Sequence, residues 1–289
     1  MKKTVLVTGA TGFVGTNLVS LLTNAGFDAL PYNIRAEQDS KSLEQIAKSC
    51  DLQAIIHCAG KINGSTSQLR ASNESLMLEL TTQILKFNPK LKIIFISSVS
   101  AISGLGTYGT TKKNAEEILI TSGLENWTIL RPSLLYGPND TKNVATLINL
   151  AKRSPIIPVP GPNTVKLQPL HIEDLFLAIH KIIISSEYAR KIYITAGPRQ
   201  EYLWDMVGDI QIALGRRPKR IGVPLNFLAM AIKTVALLAP WAKLPVQQVS
   251  ALHSHPPYDN SLAHKELGFN PRLFKLGIHK LISEEPTAS

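Results

Sequence analysis

Three glycines spaced three apart, Gly9, Gly12 and Gly15, lie between a short β-branched apolar run at residues 4–8 and a segment with helical apolar spacing, marked by Phe13, Val14, Leu18, Leu21 and Leu22. A strand that passes into a helix through such a turn restricts the chain to few folds. The first glycine permits the tight turn, the second lets backbone approach a phosphate group, and the third lets the helix pack close to a sheet. Backbone N–H groups and the positive end of the helix then face an anion. Glycines also serve turns that bind nothing. Here the strand before and the amphipathic helix after supply the context in which residues 8–15 read as a dinucleotide cradle, with Gly9, Thr11, Gly12, Phe13, Val14 and Gly15 as its contacts.

Strand-like and helix-like patterns alternate beyond the cradle. Strands are expected at residues 28–32, 54–57, 93–97, 128–130 and 191–195. Helices are expected at 13–25, 42–48 (with Asp39 and Ser40 as caps), 69–87 and 108–121. The run at 93–97 is continuously apolar, as in a strand covered on both faces. This rhythm predicts an α/β fold, a doubly wound parallel sheet of the Rossmann type, with a smaller, mostly helical C-terminal lobe. The nucleotide domain is expected over 1–160, with 166–197 returning to it. The lobe is expected over 198–289, interleaved with 138–165 and ending its helices near residues 266–269. The stretch after Arg35 is short, so an outer strand beyond residue 32 is expected to be missing or vestigial.

Two cysteines, Cys50 and Cys58, are too few for a disulfide framework and point to a reducing, cytoplasmic setting. The net charge of +10 suits an anionic substrate or cofactor, or an acidic membrane surface. The basic residues are scattered apart from the cluster Arg216-Arg217-Pro218-Lys219-Arg220, and no nucleic-acid-binding signature accompanies them. Residues 5–7 are too short for a signal sequence. The apolar stretch 223–244 is interrupted by Pro224, Lys233, Pro240 and Lys243, so it reads as a buried helix rather than a membrane span, and a membrane surface is not an expected partner. His253 and His255 lack further ligands at metal spacing, and no metal site is expected.

Chemistry enters at Tyr108 and Lys112, which share a helix face at a spacing of four. A tyrosine with an ordinary pKa of about 10 is a poor base at neutral pH. A nearby ammonium, helped by the positive nicotinamide of an oxidised cofactor, is expected to stabilise its phenolate, so that Tyr108 transfers a proton while a serine hydroxyl holds a substrate oxygen. The pair follows a strand ending in Ser97-Ser98, where the carboxyl ends of a parallel sheet place ligands. At the end of the second strand stand Asn33 and Arg35. An acidic residue there would select NAD, whereas arginine grips a 2′-phosphate, so NADP is favoured over NAD.

The combination of residues 8–15, Ile55-Ile56-His57-Cys58-Ala59-Gly60, Asn73, Phe95-Ile96-Ser97-Ser98, Tyr108–Lys112, residues 131–138 and His171-Ile172-Glu173-Asp174 resembles the extended short-chain dehydrogenase/reductases of the NAD-dependent epimerase/dehydratase family. The resemblance implies Tyr108 as acid/base, Lys112 as the ligand of the cofactor ribose, and Ser98 as the catalytic serine, with Ser97 and Ser100 as competitors. It implies Cys58, Ala59, Gly60 and Ser97 along the cofactor, and Pro132 and Ser133 at the nicotinamide amide. Substrate contacts are expected from Lys61, Ser100, Tyr136, Lys166 and Gln168. Val99-Ser100 stands where the family's dehydratases carry Asp-Glu, which argues against sugar dehydration. The implied activity is hydride transfer on a nucleotide-activated sugar, as a 4-keto reductase or an epimerase. The helix carrying Leu76, Met77, Leu80 and Ile84 resembles, with the Tyr108 helix, the family's dimerisation pair, and a homodimer is expected. Two alternatives remain: a dehydrogenase of lipid or sterol-like hydroxyls, and a non-catalytic dinucleotide-binding sensor or assembly subunit.

Overall fold

The computed structural model describes residues 2–35, 42–227, 230 and 256–284. Most of 223–244, together with Asp39, Ser40, His253 and His255, lies outside them. The chain divides into two compact units. The first comprises Met1–Ser133, Ile172–Thr195 and Asp259–Asn270; the second comprises Leu134–His171, Ala196–Tyr258 and Pro271–Ser289.

The first unit is the expected α/β fold. Its six strands are β1 (Lys3–Thr8), β2 (Asp28–Tyr32), β3 (Asp51–His57), β4 (Lys92–Ile96), β5 (Trp127–Pro132) and β10 (Lys191–Thr195). They form one sheet in the order β10-β5-β4-β3-β1-β2, parallel throughout. Among the described residues the sheet ends at β2. Every residue of β4 is buried, the cost of a central strand covered on both faces. On one face Leu6, Ile55, Ile93, Phe95 and Ile129 pack with Met77, Leu80 and Ile84 of α4 (Leu76–Phe87) and with Ala115 and Leu119 of α6 (Gly106–Thr121). Each such side chain contributes about 1.5–3 kcal/mol by leaving water. Met77, Leu80 and Ile84 are thus spent within the unit and are not a dimer face. The exposed apolar residues of α4 are Leu78 and Leu85.

Three boundaries differ from the sequence reading. The helix expected at 69–87 starts earlier, as α3 (Thr66–Arg70), with Ser65 and Gln68 forming a capping box. It then passes through a π-helical turn, Ala71–Ser75, into α4. Asn73 therefore sits inside the helix instead of opening it. Helix α2 (Leu43–Ser49) is capped by Ser42, whose hydroxyl accepts the Gln45 amide. Beyond Gly268 (φ 63°) the chain forms another helix, α11 (Phe274–Glu284), where the sequence reading ended its helices.

Two charged groups fasten later segments of the first unit. The Lys92 ammonium donates to the carbonyls of Ile182, Ile183 and Ser185 at 2.6, 2.9 and 2.5 Å, closing the C-terminus of α8 (Ile172–Ile184). The Glu266 carboxylate, on α10 (Ser261–Leu267), accepts from Lys191 at 2.6 Å and from the Tyr193 hydroxyl at 2.5 Å.

The second unit contains more strand than expected. β6 (Leu134–Tyr136) pairs with β9 (Pro169–His171), β7 (Ile157–Pro160) with β12 (Arg220–Val223), and β8 (Lys166–Leu167) with β11 (Glu201–Tyr202). Their core gathers Tyr136, Val144 and Ile148 of α7 (Val144–Arg153), Met206 and Ile210 of α9 (Leu203–Ala213), and Phe274 and Ile278 of α11. Among the described residues no helix is long and apolar enough to cross a membrane.

Candidate active site

The cradle has the backbone that the glycine spacing predicts. Gly9 holds φ at +68°, and a Cβ there would sit 2.7 Å from the backbone of Ala59. A Cβ on Gly15 would drive into the Gly9 carbonyl. Sterics therefore demand both glycines. Gly12 is different: its Cβ would meet only the Gly9 oxygen, at 3.4 Å, an ordinary contact. Packing alone does not require glycine there, which fits a position that a ligand approaches. Gly12 is also the N-cap of α1 (Phe13–Asn24), which has no side-chain cap and no acidic residue in its first turn. The orphan N–H groups of that turn have no side-chain cap. Thr11 is exposed, and Phe13 and Val14 are half-buried. Room at Gly12, an uncapped helix start and the absence of acidic residues fit the pyrophosphate of a dinucleotide.

Beside the cradle, Asn73 fixes the loop after β3. Its Oδ1 accepts the Lys61 amide at 3.1 Å, while its Nδ2 donates to the Lys61 carbonyl at 3.1 Å and to the Thr111 hydroxyl at 2.9 Å. The π turn brings this buried amide to both partners. Lys61 itself is exposed, and Ala59 and Gly60 follow the turn that this residue pins. The Cys58 thiol is pushed up to about 12 by burial, although Lys112 pulls it down, and behaves as a small apolar group.

His57 lies fully buried beneath this loop, its Nδ1 2.8 Å from the Thr8 hydroxyl. That hydroxyl also accepts the Ala59 amide at 3.3 Å, and His57 Nε2 has no partner among the described residues. Burial, helped by the Lys112 charge, pushes the imidazole down to about 3. Between that value and 6.5 the unfolded chain binds a proton that the folded chain refuses, so stability is lost as pH falls through this window and none is lost at neutrality. His57→Gln should flatten the acid limb, recovering about 2–3 kcal/mol of the loss between pH 7 and 4.5. Urea titrations at the two pH values measure it; parallel losses in both proteins would exclude the assignment.

At the carboxyl end of the sheet the serines take separate roles. Ser98 is the serine whose hydroxyl acts on the Tyr108 phenol, drawing its pKa down, and it accepts the Ser100 amide at 3.2 Å. Ser97 donates to Glu116 Oε1 at 2.5 Å. Glu116 is also held by Arg131, through Nε at 3.0 and 3.2 Å and Nη2 at 2.5 Å. Ser97 is thus committed to a buried ion pair, and Ser98 is the serine brought to Tyr108. Helix α5 (Ser100–Ser103) lies against the first turn of α6 because Gly109 has no side chain: a Cβ there would come 2.7 Å from the Ser100 carbonyl.

Lys112 is buried under Tyr108. Its ammonium donates to the Ile96 carbonyl at 3.0 Å and lies 4.7 Å from the centre of the Phe95 ring. Burial pushes it down to about 8, with Cys58 and Glu116 acting to hold it up. Tyr108 departs from the sequence expectation: burial raises it above its ordinary value, and only the Ser98 bond opposes that. In this structure Tyr108 keeps its proton at neutral pH. Sequence reasoning missed Glu116 and Arg131. The signal was the continued spacing of four along α6, from 108 through 112 to 116. Pro132, whose carbonyl accepts the Val99 amide at 3.1 Å, and Ser133, whose amide donates to the Thr195 carbonyl at 3.0 Å, end β5 beside this network.

The remaining predicted residues lie elsewhere. Arg35 is gripped by Glu79 of α4, with Nε 2.8 and 3.0 Å and Nη2 2.6 Å from its carboxylate. Asn33 turns its Oδ1 onto the Arg35 amide. In the second unit, Tyr136 is fully buried, its ring 5.1 Å from those of His171 and Phe274. It is a core residue instead of the expected substrate contact. Gln168 is buried with its amide spent on backbone: it donates to the Gly197 and Tyr258 carbonyls and accepts the Tyr258 amide. Lys166 lies 5.0 Å from the Tyr202 ring centre. Among the described residues no group of side chains has metal-binding geometry.

Comparison with known proteins adds three findings. Residues 5–194 match the NAD dependent epimerase/dehydratase family. Two relatives are each 25% identical. One is a UDP-glucose 4-epimerase of Vibrio cholerae, over 78% of this chain and 80% of that protein. The other is the NADH dehydrogenase [ubiquinone] 1 alpha subcomplex subunit 9, mitochondrial, of Dictyostelium discoideum, over 83% and 71%. Among solved structures, dTDP-4-dehydrorhamnose reductase from Bacillus anthracis in complex with NADP is similar in fold, with a TM-score of 0.73 at 18% identity, covering 98% of this chain and 100% of that one.

Proposed function

The chain belongs to the NAD dependent epimerase/dehydratase family, and from that premise we propose that it is an NAD(P)-dependent 4-keto reductase of a nucleotide-activated sugar, with epimerisation at the same carbon as the neighbouring possibility. The observation that carries the reading is the placing of Tyr108 on α6, four residues before the buried Lys112, with Ser98 acting on its hydroxyl. A nicotinamide ring, when bound, supplies the hydride. Ser98 orients the carbonyl oxygen, Tyr108 donates a proton to that oxygen as it gains charge, and Lys112 binds the ribose hydroxyls. A proton-bearing tyrosine suits reduction, in which it begins as an acid. Val99-Ser100 follows Ser98 where the family's dehydratases carry Asp-Glu, which argues against dehydration. The net charge of +10 suits a diphosphate substrate.

The test is incubation of the purified protein with NADPH or NADH and a panel of UDP- and dTDP-linked 4-keto sugars, followed at 340 nm. Consumption of reductant with formation of a C4 hydroxyl is the expected result. Interconversion of C4 epimers without net consumption would move the assignment to an epimerase. The likeness to a respiratory-complex subunit favours a second reading, a non-catalytic dinucleotide-binding subunit. Tight dinucleotide binding with no turnover of any sugar would select it.

NADP is the preferred cofactor in this proposal, with Arg35 as its 2′-phosphate ligand. Glu79 competes for that guanidinium. Glu79→Gln should therefore raise NADP affinity about ten-fold, and Arg35→Ala should lower it by a similar factor, each from a charge-assisted contact of about 1.5 kcal/mol. Affinity for NAD should stay unchanged. Calorimetric titration checks this, and equal effects on both dinucleotides would remove Arg35 from the site.

A further inference from the structure

The positive charge of this chain is concentrated in two stretches. Residues 141–171 and 210–258 hold ten of the thirty-one lysines and arginines and none of the twenty-one aspartates and glutamates, so charge balances over the rest. Both stretches belong to the second unit. Their described part forms one surface. The Arg216 guanidinium donates to the Ala151 carbonyl and, at 2.9 Å, to the Lys152 carbonyl. That bond sets the exposed Arg217 and Lys219 beside the exposed Lys152 and Arg153 at the end of α7.

The β7–β12 ribbon adjoins this rim, with Arg220 opposite Ile157 and Ile221 opposite Pro158. Its inner face carries the buried Ile157 and Val159, and Arg220 lies over the Trp204 ring at 4.7 Å. Strand alternation turns Ile221, Lys219, Pro158 and Ile156 to the other face. There Ile156 is 43% and Ile221 55% exposed. Cations at the end of α7 suit its negative pole. That accounts for Lys152 and Arg153, but not for Arg217 and Lys219 or for isoleucines facing water among them.

We propose that this face docks on an anionic lipid surface, with Ile156 and Ile221 at the headgroup level and Lys152, Arg153, Arg217 and Lys219 against the lipid phosphates. A cationic rim around branched aliphatic side chains matches an interfacial site. A nucleic-acid groove would offer aromatic platforms to bases. The sequence reading named an acidic membrane surface among the partners that the net charge suits, but did not expect one. The docking is independent of the reaction proposed above.

Vesicle flotation of the full-length protein tests it. Phosphatidylcholine vesicles with roughly a quarter phosphatidylglycerol should carry the protein up, pure phosphatidylcholine should not, and added salt should release it. Arg217→Glu with Lys219→Glu should weaken binding at least about twenty-fold, taking about 1 kcal/mol per cation at the surface. Ile156→Ser with Ile221→Ser should weaken it about ten-fold at unchanged charge. All four residues are exposed, so dinucleotide affinity and Tm should not move. Absence of binding to the anionic vesicles would overturn the proposal. So would binding that ignores either pair of substitutions, or binding that duplex DNA abolishes equally in the wild type and the isoleucine variant, which would reduce the patch to a general polyanion surface.

Discussion

Replacing Tyr108 with phenylalanine is expected to lower turnover by about 10²–10⁴-fold, the range of a lost general acid, with dinucleotide affinity and Tm close to those of the wild type. The ring remains, so the packing of α6 is kept. Only the hydroxyl is removed. Ser98→Ala should cost less, because the acid stays in place and only its partner in orienting the carbonyl is gone. The comparison separates the two readings of the chain. A dinucleotide-binding subunit without chemistry would be indifferent to either change in every assay. A reductase would lose rate and retain binding. The measurement is the initial rate at 340 nm with the 4-keto sugar that the wild type accepts, beside calorimetric titration of the cofactor.

The parts of this protein that were legible in its sequence are those whose geometry is set over a few residues. Gly9, Gly12 and Gly15 fix a turn, and the strand before them and helix after them follow from local apolar spacing. Tyr108 and Lys112 share a face because a helix repeats every 3.6 residues. What escaped depends on partners far along the chain. Nothing near Gln168 tells that its amide is consumed by the backbone of Gly197 and Tyr258. Nothing near Arg35 announces Glu79, forty-four residues on. The π turn at Ala71–Ser75 has no composition signal of its own; it coincides with the place where Asn73 must reach both Lys61 and Thr111. Tyr136 looked like a site residue because its neighbours in sequence resemble a family motif, yet its ring is a core residue of the second unit. Tyr108 was expected with a lowered pKa from an ammonium beside it and an oxidised nicotinamide; the burial that raises it in the chain by itself is not legible from helix spacing.

The second large effect is one of stability. Glu116→Leu should destabilise the chain by about 3 kcal/mol, the lower end of the range for breaking a buried ion pair. The Arg131 side chain is 21% exposed and its charge is partly screened, while the Glu116 side chain is only 2% exposed. The loss arises mostly from stranding Arg131 and the Ser97 hydroxyl, since one carboxylate serves both. Glu116→Leu combined with Arg131→Met should therefore recover much of the deficit, because two apolar side chains leave no charge unpaired. Urea unfolding of the two single variants and the double variant completes the cycle. Additive losses would show that the pair does not act as a unit.

The interleaving of the two units has a consequence for how the chain can be divided. The backbone passes from one unit to the other at Ser133, His171, Thr195, Tyr258 and Asn270, so each unit is assembled from three separate segments. No single cut releases either one whole. A truncation after Tyr258 that aims to trim the second unit would also remove α10, and with it the Glu266 carboxylate that clasps Lys191 and Tyr193 on an edge strand of the nucleotide sheet. A minimal cofactor-binding fragment would have to be spliced, not shortened.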